Sequence, residues 1–152
     1  MKQRILSILV DNTAGVLSRV SGLFSRRGYN IDSLTVGVTA DPRYSRMTVV
    51  CSGDDQVLEQ ITKQLNKLVD VRDIKVLEPD SSVSRELILV KVRVSKENRQ
   101  NVTAITDIFR ANVIDVGLDS MVIELTGSKS KLEAFAQHRV DAVVVTSSAL
   151  RT

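Results

Sequence analysis

The sequence predicts an α+β fold made of two consecutive units, each with the element order βαββαβ. Apolar residues alternate with polar ones in some segments, as on strands, and recur every three or four positions in others, as on helices. This order of segments occurs twice, on either side of a polar stretch, residues 78–82, that holds one of only two prolines. Each unit should therefore be a ferredoxin-like sandwich, an antiparallel sheet covered on one face by two helices.

The first half is punctuated by residues that end strands or cap helices. Asp11 and Asn12 end the first apolar run, and Gly28 stands where the first helix needs a left-handed cap. Asp41-Pro42 marks a hairpin, and Asp54-Asp55 precedes the second helical stripe. In chain order, the predicted elements cover residues 5–10, 14–27, 34–38, 47–51, 57–68 and 71–77.

The second half repeats the pattern without clear residue-by-residue identity to the first. Its predicted elements cover residues 87–94, 102–109, 113–116, 121–125, 132–135 and 143–145. We place the first domain at residues 1–78 and the second at 79–152. Two units of this size are each marginal alone and leave sheet edges open, so self-association is expected.

Composition argues against nucleic-acid and membrane partners. The net charge of +3 comes from 21 basic and 18 acidic residues that are interspersed, and the densest basic run is Arg26-Arg27. No aromatic residue falls on a predicted central strand, so the base-stacking platform of an RNA-binding sheet is missing. There is no secretory signal and no apolar run long enough to span a bilayer. The lone Cys51, in an apolar stretch, suits packing in a reducing cytoplasm.

Catalytic and metal-binding chemistry is also unsupported. The chain has a single histidine, His138, and lacks a cysteine and histidine cluster, a glycine-rich phosphate loop and a dinucleotide motif. The adjacent Asp54 and Asp55 are better explained as helix-capping acids. We therefore expect neither an enzyme nor a metal site.

One constellation, between the first strand and the first helix, remains as a candidate binding site. Asp11 and Asn12 are followed by Gly15 and then by the helix. Backbone N–H groups and the positive end of the helix dipole converge there, which suits a carboxylate, and Gly15 has no Cβ to block close approach. A simple helix cap with a convenient glycine explains the same spacing, and spacing alone does not decide between the two.

The residues Asp-Asn-x-x-Gly-Val-Leu-x-Arg, positions 11–19, resemble the opening signature of ACT domains, which bind amino acids at such helix termini. Several longer runs resemble the small regulatory subunits of acetohydroxyacid synthase, also called acetolactate synthase. The Gly-Tyr-Asn-Ile run at 28–31 is typical of that family. The similar segments are residues 23–36, 45–48, 65–71, 89–92, 108–110 and 114–116. The resemblance extends to about Phe135, after which the chain departs from the family's usual ending.

The resemblance implies a site and a set of partners. Two ACT domains would pair side by side and hold valine between them. The residues of one chain that match this site are Asn12, Gly15, Val16 and Leu17, and Asn30 and Ile31 would come from its neighbour. The small subunit would activate a catalytic large subunit and confer valine feedback in branched-chain amino acid biosynthesis. Thiamine diphosphate, magnesium and FAD are expected on the large subunit and none of them on this chain.

Two other functions remain open on the residues alone. One is an ACT-type amino-acid sensor that acts on another enzyme or on transcription. The other is a structural ferredoxin-like adaptor. Neither accounts for the length of the family resemblance.

Overall fold

A computed structural model describes residues 2–137 and, as a strand, residues 143–151. The chain divides into two compact units between Ser82 and Val83, just after a short 3-10 turn at Pro79–Ser81. Each unit has the βαββαβ order, so the predicted fold class is confirmed. His138, the histidine considered above, lies outside the described residues.

The first unit is a four-stranded antiparallel sheet with two helices. The strand order is β2-β3-β1-β4, so β1 and β3 are central and β2 and β4 are edges. All six predicted elements are present. They are β1 (Lys2–Asp11), α1 (Val16–Arg26), β2 (Ile31–Val38), β3 (Tyr44–Gly53), α2 (Asp55–Asn66) and β4 (Val71–Leu77).

The second unit repeats this topology with the strand order β6-β7-β5-β8. Its edge strand β6 is exposed along its whole length. Strand β8 pairs with β5 and is longer than the three residues expected from the sequence. The elements are β5 (Val83–Arg93), α3 (Arg99–Ile108), β6 (Asn112–Val116), β7 (Ser120–Gly127), α4 (Lys129–Gln137) and β8 (Val143–Arg151).

Helix α1 ends where the sequence predicts, by a Schellman arrangement. Gly28 has φ +70°, its N–H donates to Ser25 O at 3.2 Å, and the N–H of Tyr29 donates to Phe24 O at 3.0 Å. Two carbonyls that the helix would leave without partners are thereby satisfied. The turn directs the chain from α1 into β2 and places Tyr29 against the core of the first unit.

The core of the first unit lies between its sheet and its two helices. Alternate residues of the central strands point to the helices, because successive strand side chains face opposite sides of a sheet. Leu6 of β1 and Val49 of β3 are directly paired and both fully buried. Cys51 is also buried, as expected, and burial, with a smaller contribution from the charge of Asp32, raises the pKa of its thiol. A reactive thiolate is disfavoured there.

Two glycines, one inside α1 and one just after it, provide a matched test of how this helix ends. Gly22 lies inside the helix and Gly28 just after it, and a Cβ at either position would meet nothing within 4 Å. We expect Gly22→Ala to stabilise the first unit by about 0.5–1 kcal/mol through helix propensity. We expect Gly28→Ala to destabilise it by about 1–2 kcal/mol, since alanine disfavours a positive φ.

Urea unfolding followed by tyrosine fluorescence measures both effects. The chain has no tryptophan and only two tyrosines, Tyr29 and Tyr44, which both belong to the first unit. The signal therefore reports on that unit. Equal shifts of the unfolding midpoint in the two variants would contradict the assignment of Gly28 as a left-handed cap.

Candidate functional site

The amino terminus of α1 is open to a ligand. Gly15 occupies the N-cap position with φ +85°, and no side chain makes a capping hydrogen bond there. The first N–H groups of any helix have no partner within the helix. In α2, by contrast, the Asp54 carboxylate accepts from Val57 N at 2.9 Å. Helix α1 therefore presents donors and the positive end of its dipole to the outside.

The two residues that follow Gly15 differ in exposure and therefore in what they offer a ligand. The side chain of Val16 is only 3 % exposed and belongs to the core, so only its backbone can meet a ligand. Leu17 is 46 % exposed and presents apolar surface beside the helix start. The predicted site residues of this segment thus offer backbone donors and one aliphatic side chain.

Asn12 ties the end of β1 to the hairpin between β2 and β3. Its backbone N–H donates to Arg43 O at 2.8 Å, and its Nδ2 donates to Pro42 O at 2.9 Å. The side-chain amide group is therefore engaged as a donor. Its Oδ1 is the atom suited to accept from a ligand, such as an ammonium group.

Three aspartate–arginine pairs surround this end of the first unit. Asp11 accepts from Arg72 at 2.7 and 3.0 Å, and Asp41 accepts from Arg43 at 2.6 to 3.1 Å. Hydrogen bonding to the arginine holds the pKa of each of these two carboxyl groups below its usual range. The third pair joins Asp70, in the turn before β4, to Arg19 of α1. These pairs connect the loops without capping the helix.

The other predicted half of the site lies at the start of β2. Asn30 Nδ2 donates to Asp32 Oδ1 at 2.8 Å, and Ser52 Oγ donates to Asp32 Oδ2 at 2.5 Å. Ile31 is half-buried and packs against the core. Asp32 was not among the predicted site residues, although it fixes the amide of Asn30. Its position two residues after Asn30 was the feature of the sequence that could have indicated this contact.

The sheet register separates the two halves within one chain. Ile31 pairs with Cys51, which pairs with Arg4 near the beginning of β1, whereas Asn12 and Gly15 follow Asp11 at the end of β1. Asp11 follows Arg4 by seven positions along β1, and at about 3.4 Å per position the two residues are about 24 Å apart. A single chain does not bring Asn30 and Ile31 to Gly15.

The part of the chain that the structure describes supports neither a metal site nor a membrane-spanning helix. Residues 2–137 and 143–151 hold no group of three or more His, Cys, Asp and Glu side chains placed to bind a metal ion. Within the same residues, no helix is both long enough and apolar enough to span a membrane.

The pair between Asp11 and Arg72 leads us to a prediction about the pKa of Asp11. Because folding lowers the pKa of Asp11, the pair stabilises the fold above the usual pKa of an aspartate, and this contribution is lost as the pH falls through the lowered value. Arg72→Gln should return the pKa of Asp11 towards its usual range. Carboxyl NMR titration measures it.

Arg43→Gln is the matched control. It should raise the pKa of Asp41, to which Arg43 is bound, and leave Asp11 unchanged. If the pKa of Asp11 stayed equally low in Arg72→Gln, the assigned cause would be wrong.

Comparison with known proteins places the chain in a family. Residues 6–73 match the family described as AHAS small subunit-like ACT domain, and residues 85–139 match the family described as small subunit of acetolactate synthase. Each match falls within one of the two compact units.

Relatives that match most of the chain indicate the same family. The chain is 49 % identical over 134 residues to a probable acetolactate synthase small subunit of Methanothermobacter thermautotrophicus, covering 88 % of this chain and 80 % of that protein. It is 52 % identical to the acetolactate synthase isozyme 3 small subunit of Salmonella typhimurium, covering 88 % and 82 %. The crystal structure of the acetolactate synthase small subunit from Thermotoga maritima superposes with a TM-score of 0.89 at 38 % identity, covering 100 % and 99 %.

These matches confirm the resemblance drawn from the sequence and agree with the prediction that the chain is not itself the enzyme. The open helix end at Gly15 lies inside the segment matched to the ACT domain. The chain belongs to the family of acetolactate synthase small subunits and carries an ACT domain in its first half.

Proposed function

We propose that this chain is the regulatory subunit that activates the catalytic large subunit of acetohydroxyacid synthase and makes it sensitive to valine, the feedback signal of branched-chain amino acid biosynthesis. The observation that carries the proposal is the uncapped start of α1 at Gly15, inside an ACT domain of this family. An amino acid supplies the carboxylate that such a helix end favours.

The register provides the argument for a shared site. In one chain, Gly15 and Ile31 lie at opposite ends of the sheet. Strand β2 is an edge, so it can pair with β2 of a second copy. An antiparallel pair about a two-fold axis places the start of one β2 beside the end of the other, at Val38. Since Val38 pairs with Ser45, which also pairs with Val10 near the end of β1, Val38 lies at the Gly15 end.

Exposed apolar surface on β2 supports this dimer. Val36 and Val38 are 45 % and 60 % exposed, although their partners in β3, Met47 and Ser45, are buried. The helices of the same chain thus leave this edge of their own face uncovered. A second copy would bury it and remove an open sheet edge at once.

The pocket chemistry suits a small aliphatic amino acid. The first-turn N–H groups of α1 hold its carboxylate, and Asn12 Oδ1 accepts from its ammonium group. Asn30 of the second copy can also accept through Oδ1, because its Nδ2 already donates to Asp32. Leu17 and Ile31 offer apolar surface to the branched side chain. The predicted site residues therefore have complementary roles.

A site shared by two chains couples ligand binding to quaternary arrangement. Valine that binds the paired form better than other forms shifts the population towards it. The catalytic large subunit would sense that shift in the cytoplasm. Thiamine diphosphate, magnesium and FAD belong to the large subunit in this proposal, and this chain supplies contacts and effector binding only.

The proposed dimer can be broken at the edge of β2. Val38→Lys places a charge in the interface. We expect the dissociation constant of the dimer to rise at least about tenfold, because burying an unpaired charge is costly. Val69→Lys is the matched control, because Val69 is 86 % exposed and precedes β4 at the opposite edge.

Light scattering at micromolar concentration measures the mass of each variant. The wild-type chain and Val69→Lys should be dimers. A wild-type monomer, with or without valine, would contradict the shared site.

The effector site is tested at Gly15. In Gly15→Asp the new carboxylate occupies the place of the ligand carboxylate and repels it. Losing a charge-assisted hydrogen bond worth about 1.5–3 kcal/mol should weaken the valine response about tenfold to a hundredfold. Positive φ adds strain of about 1–2 kcal/mol, which the helix dipole offsets by about 0.3–1 kcal/mol, so activation of the large subunit should survive.

Gly15→Asn is the control, since asparagine has the same shape without the charge and tolerates positive φ. Acetolactate formation by the reconstituted enzyme is measured against valine concentration. Asparagine should weaken the response less than aspartate, and the small subunit alone should form no acetolactate. An inhibition curve unchanged by Gly15→Asp would remove Gly15 from the site.

A further inference from the structure

The guanidinium group of Arg19 lies beside Gly15, at the open start of α1. Its Nη1 is 3.0 Å from the position that a Cβ on Gly15 would occupy. Arg19 follows Gly15 by four residues, and its N–H donates to Gly15 O at 3.0 Å. A long helical side chain extends back over the preceding turn. The positive charge of Arg19 therefore stands beside Gly15, the residue at which α1 begins.

Asp70 holds this guanidinium by one nitrogen. Arg19 Nε donates to Asp70 Oδ2 at 2.6 Å, and the Asp70 side chain is 19 % exposed. The backbone of Asp70 is itself fixed, because its carbonyl accepts from Asp11 N at 2.9 Å. Among the described residues, Nη1 and Nη2 of Arg19 have no acceptor. Two donors of a planar, permanently charged group remain available next to Gly15.

We infer that Arg19 determines the preference of the effector site for a carboxylate. Its terminal nitrogens bind the α-carboxylate of the effector together with the first-turn N–H groups of α1, and Asp70 positions the guanidinium for this contact. Arginine binds a carboxylate with charge-assisted hydrogen bonds that a neutral amide does not match. The inference rests on the proposed effector site, to which it adds a specificity-determining residue and a positioning residue.

The competing role for Arg19 is structural. As a pair with Asp70, it could simply join α1 to the turn before β4. A surface pair of that kind contributes little, and its loss would affect all ligands alike. The two roles differ in one measurable respect, the discrimination between ligands with and without a carboxylate.

The experiment uses the full chain, with valine and valinamide as probes. Valinamide keeps the ammonium group and the side chain but lacks the carboxylate. Calorimetry measures both ligands on the wild type, Arg19→Gln, Arg19→Lys and Arg72→Gln. The last variant removes another aspartate–arginine pair from the same end of the unit. Circular dichroism confirms that each variant is folded.

Arg19→Gln should bind valine at least about tenfold more weakly, while its affinity for valinamide changes little. Arg19→Lys should recover part of the loss, because it restores the charge without the fork of donors. Arg72→Gln should bind valine within about twofold of the wild type.

Two results would overturn the inference. One is wild-type affinity for valine in Arg19→Gln. The other is an equal proportional loss for valine and valinamide, which is the signature of the structural role. A wild-type chain that binds neither probe would instead refute the proposed effector site itself, whatever the variants do.

Discussion

The pairing of β1 between β3 and β4 is the constraint on which the first unit depends. It places Leu6 in the core and fixes the register of β3 and β4, and β2 pairs in turn with β3. It also carries the chain from Arg4 at one end of the sheet to Asp11 at the other. Because α1 begins after Asp11 and β2 begins after the return along α1, the two halves of the candidate site cannot meet in one chain. The proposed dimer is the arrangement that would bring the two halves together.

The two helices of the first unit differ at their amino ends, and this difference locates the proposed chemistry. Helix α2 is closed by the carboxylate of Asp54, which accepts from the first turn. Helix α1 begins at Gly15 in a left-handed conformation that offers no such acceptor. A negatively charged group gains most where the protein has not already supplied one. An open helix end inside an otherwise well-paired loop region is therefore suited to a ligand.

Three arginine side chains lie at the same end of the first unit, and each is bound to an aspartate. Arg72 and Arg43 each bind an aspartate and lower the pKa of its carboxyl group. Arg19 is bound by Asp70 through Nε and extends its other nitrogens towards Gly15. In the proposed site, a carboxylate would meet these nitrogens of Arg19 already in place, and less conformational entropy would be lost on binding.

Local patterns in the sequence determined the elements, the class of fold and the glycine that ends α1, since periodicity and capping preferences act over a few residues. The signature from Asp11 to Arg19 and the run around Asn30 also indicated the family. Tertiary structure alone decided that Gly15 and Ile31 lie at opposite ends of one sheet and that Asp32 holds Asn30. It alone brought Asp70 to Arg19, 51 positions apart in the chain. Such contacts depend on strand register and on the direction of side chains across elements distant in sequence, which no local pattern encodes.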